Sequence, residues 1–137
     1  MTTARKRKPA RPPVPDEHAE AVRFFQMVKM HEAKHRALRM LFAVPNGSAR
    51  HPAVAGKLRA EGVRPGVSDY LLLVPSKGFH GLAIELKRQR GGEVSEAQAE
   101  FQMHARAHGY RAEVCKGWVE AWNTVCDYLG LTAKVEP

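Results

Sequence analysis

The chain has 137 residues, 44% of them hydrophobic and 26% charged, which is the composition of one soluble globular domain and excludes a wholly disordered or fibrous chain. No apolar run approaches the roughly 18 residues that a membrane-spanning helix needs, and no apolar stretch follows the basic start, which argues against a secretory signal. We therefore expect a cytoplasmic protein.

The net charge of +8 is concentrated at the start of the chain. Residues 1–15 hold five lysines and arginines and no acid, and removing these five from the total of 22 leaves 17 basic against 14 acidic residues, a net charge of +3. Because this segment is also rich in proline, the pattern predicts a disordered basic arm. Such an arm is commonly a solvated tail, and it can also raise the affinity for phosphates at little cost to folding.

The first half of the chain predicts two helices and a short strand. Asp16 is a candidate N-cap for a helix that extends, whole or interrupted, to about Met40, because its apolar residues follow the spacing of one helical face. The elements that follow are a strand over 41–44, the turn sequence Pro45-Asn46-Gly47, and a helix over about 52–61 that stops at Gly62.

The second half predicts three strands and two helices, with Ser95 as an N-cap and Gly130 as the stop of the last helix. The strands cover 69–74, 82–87 and 110–115, and the helices cover 95 to before 109 and about 119–129. The order α β α β β α β α predicts an α/β (α+β) fold, a mixed sheet flanked by helices. We assign residues 16–131 to this domain, between the arm over 1–15 and a C-terminal tail over 132–137.

Two patterns in the last third of the chain indicate buried surface. Cys115 and Cys126 are too few for a disulfide framework or a four-thiolate zinc site, so we predict two buried thiols. Trp118, Trp122 and Cys126 recur at helical spacing, which predicts either core or a surface shared in a dimer.

The candidate chemistry lies on the two strands joined as a hairpin. If the connecting loop is centred on Lys77, Asp69 lies directly opposite Glu85, and Lys87 points to the same face. Two facing carboxylates repel each other, so either the register differs by one or a cation lies between them. Carboxylate oxygens without a histidine suit Mg²⁺ or Mn²⁺ and point towards phosphodiester hydrolysis, with Lys87 orienting the attacking water or neutralising charge. The alternative is a surface salt bridge of Lys87 with one of the two acids.

These residues also resemble a known family. Asp69, followed after fifteen residues by Glu85-Leu86-Lys87, resembles the PD-(D/E)XK nuclease pattern, although Ser68 stands where that pattern has proline. A wider set of motifs, over roughly residues 17–129, is similar to the VRR-NUC branch as found in phage proteins. These motifs are Pro45-Asn46-Gly47, Lys57 to Val63, Gly66 to Asp69, Gly81 to Arg88, Ser95 to Gln98 and Gly109-Tyr110.

The resemblance implies a restriction-endonuclease-like fold and a metal-dependent DNA endonuclease, which we expect to act on junctions or branched DNA in a bacterial or phage-infected cell. Asp69, Glu85 and the backbone carbonyl of Leu86 would hold Mg²⁺ or Mn²⁺, and Lys87 would be the catalytic lysine. An acid of the first helix would bind a metal water. Glu17 is the best match for this acid and Glu20 the next, and Gln98 matches a glutamine that contacts the site.

Candidate DNA contacts and the oligomeric state can also be predicted. The side chains that could grip phosphates are Asn46, Arg50, Lys57 and Arg88, against ordinary turn and surface chemistry as the alternative. Stand-alone members of the family resemble dimeric resolvases, and one metal site hydrolyses one strand at a time. We therefore expect a homodimer, with a monomer that nicks one strand as the alternative.

Two other functions compete with the nuclease. The first is a DNA-binding module that keeps the fold but not turnover, against which the intact Asp69, Glu85 and Lys87 argue. The second is a zinc peptidase, because His31-Glu32-Ala33-Lys34-His35 matches the H-E-x-x-H spacing and would place both histidines on one helical face. Lys34 beside that zinc and the lack of a third ligand motif argue against it.

Overall fold

The computed structural model describes residues 13–45 and 51–136, which form an α+β domain. A four-stranded sheet in the order β1-β2-β3-β4 is antiparallel from β1 to β3 and parallel between β3 and β4. The predicted order of elements and the mixed sheet are confirmed. The elements are α1 (Glu17–His31), a 3-10 helix (Arg36–Met40), β1 (Leu41–Ala43), α2 (Pro52–Ala60), β2 (Tyr70–Leu72), β3 (Leu82–Lys87), α3 (Glu96–Ala107), β4 (Arg111–Lys116) and α4 (Trp118–Leu129).

The helix ends follow the capping residues in the sequence. Asp16 accepts a hydrogen bond from the Ala19 N–H at 2.7 Å, and Ser95 begins α3 as the N-cap of a capping box. Gly130 adopts the left-handed conformation that ends α4. The first predicted helix is interrupted, because α1 ends at His31 and only the 3-10 helix continues to Met40.

The hairpin has the predicted register. Tyr70 faces Ile84 and Leu72 faces Leu82, which continues to Asp69 opposite Glu85. The turn between the strands lies at Lys77 and Gly78, whose φ values of 51° and 83° are the positive pair that a tight two-residue hairpin turn requires. The Ser76 hydroxyl next to this turn donates a hydrogen bond to the Tyr128 carbonyl at 2.5 Å. The loop is therefore fixed against α4.

The two faces of the sheet have different roles. The face that carries Leu82, Ile84 and Leu86 packs against α1 and α4 and forms the core, where Phe24 meets Tyr70 edge to face. The opposite face carries Glu85 and Lys87 and contacts α3. All six residues of β3 are buried, so these two charged side chains lie inside the protein.

The tryptophan stripe belongs to the core of the chain itself. Trp122 is wholly buried, whereas Trp118 is partly buried beneath the guanidinium of Arg23, 5.3 Å from its ring centroid. The expectation that Trp122 offers surface to a second subunit is therefore wrong. Cys115 and Cys126 are free and buried, as predicted, and burial raises the pKa of each thiol to about 11.

The described part of the predicted C-terminal tail packs on α4. The Ala133 carbonyl accepts a hydrogen bond from Trp122 Nε1 at 2.8 Å. The Val135 N–H donates to Asn123 Oδ1, and the Val135 carbonyl accepts from Asn123 Nδ2. Ala133 and Val135 are therefore held against the domain, while Thr132 and Lys134 between them are exposed. None of the helices in residues 13–45 and 51–136 combines the length and apolarity needed to cross a membrane.

Helix α2 differs from the other helices because none of its residues is buried. The loop after it returns to the sheet through Gly66, which has a φ of +85°. A Cβ at Gly66 would lie 2.3 Å from the Ala97 carbonyl oxygen, so this position needs glycine. The loop is thereby pressed against the first turn of α3.

Candidate active site

The side chains predicted to carry the chemistry meet in one cavity of about 550 Å³ at the carboxyl end of β3. Asp69 enters it from the residue before β2, and Glu85 and Lys87 enter it from β3. Glu17 from α1 and Gln98 from α3 complete the wall. Residues far apart in the sequence are thus brought to one point, because β3 ends there and β2, α1 and α3 begin there.

The two central carboxylates are held differently. Asp69 Oδ2 accepts a hydrogen bond from the Leu86 N–H at 2.7 Å. Glu85 Oε1 accepts one from Gln98 Nε2 at 2.7 Å and lies 3.5 Å from Lys87 Nζ. Glu85 Oε2 is buried and has no hydrogen-bond partner among the described residues. Of the two Glu85 oxygens, only Oε1 therefore has a hydrogen-bond partner among the described residues.

The electrostatics of the pair favour a proton or a cation on Glu85. Its side chain is 1% exposed, and burial, followed by the nearby negative charge of Asp69, raises its pKa to about 8. Lys87 opposes this shift, but its contribution is the smaller one. The expected repulsion between facing carboxylates is thus present in the predicted register, so Glu85 is a site where positive charge is stabilising.

The two candidate acids on α1 have separate places. Glu17 is exposed and lines the cavity, as its assignment required. Glu20 is buried outside the cavity. One of its oxygens accepts a hydrogen bond from the Trp118 N–H at 2.6 Å, and the other accepts one from Gln89 Nε2 at 2.9 Å. Only Glu17 is therefore available to a ligand in the cavity.

Gln98 combines two functions in one side chain. Its Oε1 accepts a hydrogen bond from the Ser95 N–H at 2.9 Å, which closes the capping box of α3. Its Nε2 donates to Glu85. The contact with the site expected for Gln98 is present, and the capping box fixes the amide that makes it.

The predicted DNA contacts are only partly placed. Asn46 and Arg50 lie outside the described residues. Lys57 is exposed on α2 but does not line the cavity. Arg88 is exposed just after β3, where its guanidinium donates a hydrogen bond to the Gly91 carbonyl at 3.1 Å.

Two cationic residues of the cavity wall were not predicted from the sequence. Arg59 from α2 and Arg64 from the following loop both line the cavity. Helical periodicity contains the signal for Arg59, because Ala55, Leu58 and Arg59 share one face while Lys57 points away from it. No comparable periodicity exists for Arg64.

The H-E-x-x-H motif does not form the expected pair on one helix. Helix α1 ends at His31, whose Nδ1 lies 2.9 Å from the Met27 carbonyl oxygen and whose ring centroid lies 4.7 Å from that of Trp122. Within residues 13–45 and 51–136, no three His, Cys, Asp or Glu side chains are grouped so as to hold a metal. The geometry gives no support to a zinc peptidase.

The donors around Glu85 do suit a hard divalent cation. Mg²⁺ is commonly bound by one or two carboxylates, with water and phosphate completing its coordination. Asp69 and Glu85 are such a pair, and the unpartnered Glu85 Oε2 is a free ligand atom. The N–H and the carbonyl of a strand residue point to the same side of the strand. The Leu86 N–H donates a hydrogen bond to Asp69, so the Leu86 carbonyl points towards the same side as Asp69.

An α+β fold with two carboxylates and a lysine at the end of a buried central strand is the arrangement expected of a nuclease domain. The profile of the VRR-NUC domain matches residues 8–118. The chain belongs to the VRR-NUC domain family, a family of nuclease domains.

A solved structure agrees with this assignment at the level of the fold. The chain is similar to a "VRR_NUC domain protein" with a TM-score of 0.76 and 23% sequence identity, over 88% of this chain and 93% of that one. No curated protein matches the chain by sequence. The predicted family and fold are confirmed.

Proposed function

We propose that the protein is a metal-dependent DNA endonuclease that acts on branched or junction DNA. The observation that carries this proposal is the buried, unpartnered Glu85 Oε2 beside Asp69 in a cavity lined by lysine and arginine. An ionised carboxylate in this position is costly unless a cation binds it, and without one it is favoured in its protonated form. A divalent cation bound there would assist the hydrolysis of a nucleic-acid phosphate.

Asp69, Glu85 and the Leu86 carbonyl would hold Mg²⁺ or Mn²⁺, with Glu17 acting through a water molecule. When bound, such a cation polarises a phosphate oxygen and acidifies water. The protein contributes the fixed ligands. The Leu86 N–H holds Asp69, and Gln98 holds one oxygen of Glu85, so the other oxygen is left for the cation.

Lys87 supplies the charge that the carboxylates lack. Its side chain is 9% exposed and its Nζ lies 3.5 Å from Glu85 Oε1, so few water molecules compete for its protons. From there it can donate a hydrogen bond to the attacking water or to a phosphate oxygen that gains charge in the transition state. In this proposal it acts as a cation and not as a general base.

Two cations of the cavity wall support the proposed substrate class. Arg59 and Arg64 line the same cavity as the acids and can contact backbone phosphates. Contacts with phosphates position a nucleic acid without reading its sequence. Recognition of backbone shape is therefore the specificity we propose.

We also propose a homodimer, because one such site cuts one strand at a time and branched DNA carries two related strands. Trp122 has no part in its interface. Apolar surface remains instead at β1 and β2, where Phe42 is 41% exposed and Leu73, directly after β2, is 50% exposed. Light scattering after size exclusion tests this proposal, since a mass of 15.3 kDa at micromolar concentration would contradict it.

The proposed activity is tested with purified protein on supercoiled plasmid and a panel of branched and linear DNAs, with Mg²⁺, Mn²⁺ or EDTA. We expect cleavage only with metal. Asp69→Asn and Glu85→Gln should abolish cleavage while DNA binding persists, and Glu100→Gln, an exposed acid of α3 outside the cavity, should cleave like the wild type. Metal-independent binding without cleavage by the wild type would identify a DNA-binding module instead.

A further inference from the structure

Glu20 is a buried acid that the proposed reaction does not use. It is 1% exposed and does not line the cavity. Both of its oxygens accept hydrogen bonds, one from the Trp118 N–H and the other from the Gln89 side chain. Because the side chain is buried away from the cavity, any function it has is exerted through the protein.

One end of this network is the start of α4. Trp118 is the first residue of that helix, and its N–H has no partner within the helix. The N-cap is Gly117, which has no side chain with which to cap it, and the Glu20 carboxylate takes that place from another helix. A Cβ at Gly117 would lie 3.0 Å from Gln89 Cγ and 3.4 Å from Glu20 Oε2, so the glycine leaves room for both partners.

The other end of the network is the end of β3. The Lys87 carbonyl accepts a hydrogen bond from the Gly117 N–H at 2.8 Å, and Gln89 follows Lys87 by two residues. The bonds therefore form a ring through α1, the end of β3 and the start of α4. Glu17 lies three residues before Glu20 on the same side of α1, and it does line the cavity.

We propose that Glu20 is a positioning residue that fixes α1 so that Glu17 faces Asp69 and Glu85. This inference rests on the proposed metal-dependent nuclease. Asp69 and Glu85 are held independently, by the Leu86 N–H and by Gln98, so loss of Glu20 displaces Glu17 and leaves that pair in place.

The test uses Glu20→Gln, which keeps the size of the side chain but turns one acceptor into a donor. We expect kcat to fall by about tenfold to a hundredfold, the cost typical of removing a group that orients a metal-site residue, and KM to stay unchanged. In a Glu17→Gln background the same substitution should have no further effect. Equal fold-losses in both backgrounds would show that Glu20 only supports folding and would overturn the proposal.

A second readout does not depend on turnover. Mn²⁺ binding followed by electron paramagnetic resonance should be weakened by the same factor in Glu20→Gln and Glu17→Gln, and it should be unchanged in Glu100→Gln. If the wild type binds Mn²⁺ but cleaves no DNA, the proposed function fails while this comparison still judges Glu20. Unchanged Mn²⁺ affinity in Glu20→Gln, with Glu17→Gln weakened, would overturn the inference.

Gln89→Ala provides the test if Glu20→Gln does not fold by circular dichroism. Gln89 is exposed, so its truncation removes one hydrogen bond to Glu20 without opening the core. We expect a smaller loss of kcat that again vanishes in the Glu17→Gln background. A loss that persists there would overturn the proposal.

Discussion

Replacing Glu85 with glutamine should stabilise the metal-free protein at alkaline pH. In the wild type, burial and the charge of Asp69 raise the pKa of Glu85 from 4.5 to about 8. The folded protein therefore keeps a proton that the unfolded chain loses above pH 4.5. Because the folded state binds more protons in this interval, the free energy of unfolding falls as the pH rises from about 4.5 to about 8.

The size of this effect follows from the pKa. One pKa unit corresponds to about 1.4 kcal/mol, so the whole interval sets an upper limit of about 5 kcal/mol. Glutamine has nearly the same shape, remains neutral at every pH and can still accept the hydrogen bond from Gln98. Urea unfolding in EDTA at pH 5, 6.5 and 8 should therefore show Glu85→Gln gaining stability over the wild type with each step.

The comparison with the wild type removes the contribution of the seven histidines, which titrate in both proteins. Glu100→Gln, an exposed acid, should give a curve parallel to that of the wild type. Adding Mg²⁺ at pH 8 should restore stability to the wild type and not to Glu85→Gln. Parallel pH profiles for wild type and Glu85→Gln would refute the reasoning that Glu85 is strained by its ionisation.

Three further outcomes are expected. Ser68→Ala should raise the free energy of unfolding by about 1 kcal/mol in urea, because it removes a buried hydroxyl without a partner among the described residues, and lower stability would contradict this. Arg59→Ala should raise KM for DNA while Lys57→Ala, on the other face of α2, should not, and equal effects would place DNA elsewhere. Deleting residues 1–15 should weaken DNA binding and flatten its salt dependence by up to about 4.5 counterions, whereas unchanged affinity at low salt would place the DNA surface on the body.

The register of the hairpin could be predicted from the sequence because strand residues alternate strictly and a short loop fixes their pairing. Asp69 opposite Glu85 follows from that register alone. Gln98 could be predicted for another reason. The family resemblance includes it, and Ser95, three residues earlier, marks the start of its helix. Local rules therefore located the chemistry on its elements.

The packing of the helices against the sheet could not be predicted from the sequence. Glu17 and Glu20 lie one turn apart on α1, and only the packing of that helix decides that Glu17 reaches the cavity while Glu20 is buried. Trp122 likewise fits a core or a dimer surface equally well until α4 is placed. Arg64 lies in a loop, where no periodicity predicts the direction of a side chain.

Helix α2, which buries none of its residues, has a consequence for amide hydrogen exchange. A segment with few buried contacts opens at a low free-energy cost, independently of global unfolding. Its amides should exchange much faster than those of β3, which is buried throughout. The side of the cavity formed by α2, with Arg59, is therefore expected to open more easily than the side formed by β3, with Glu85 and Lys87.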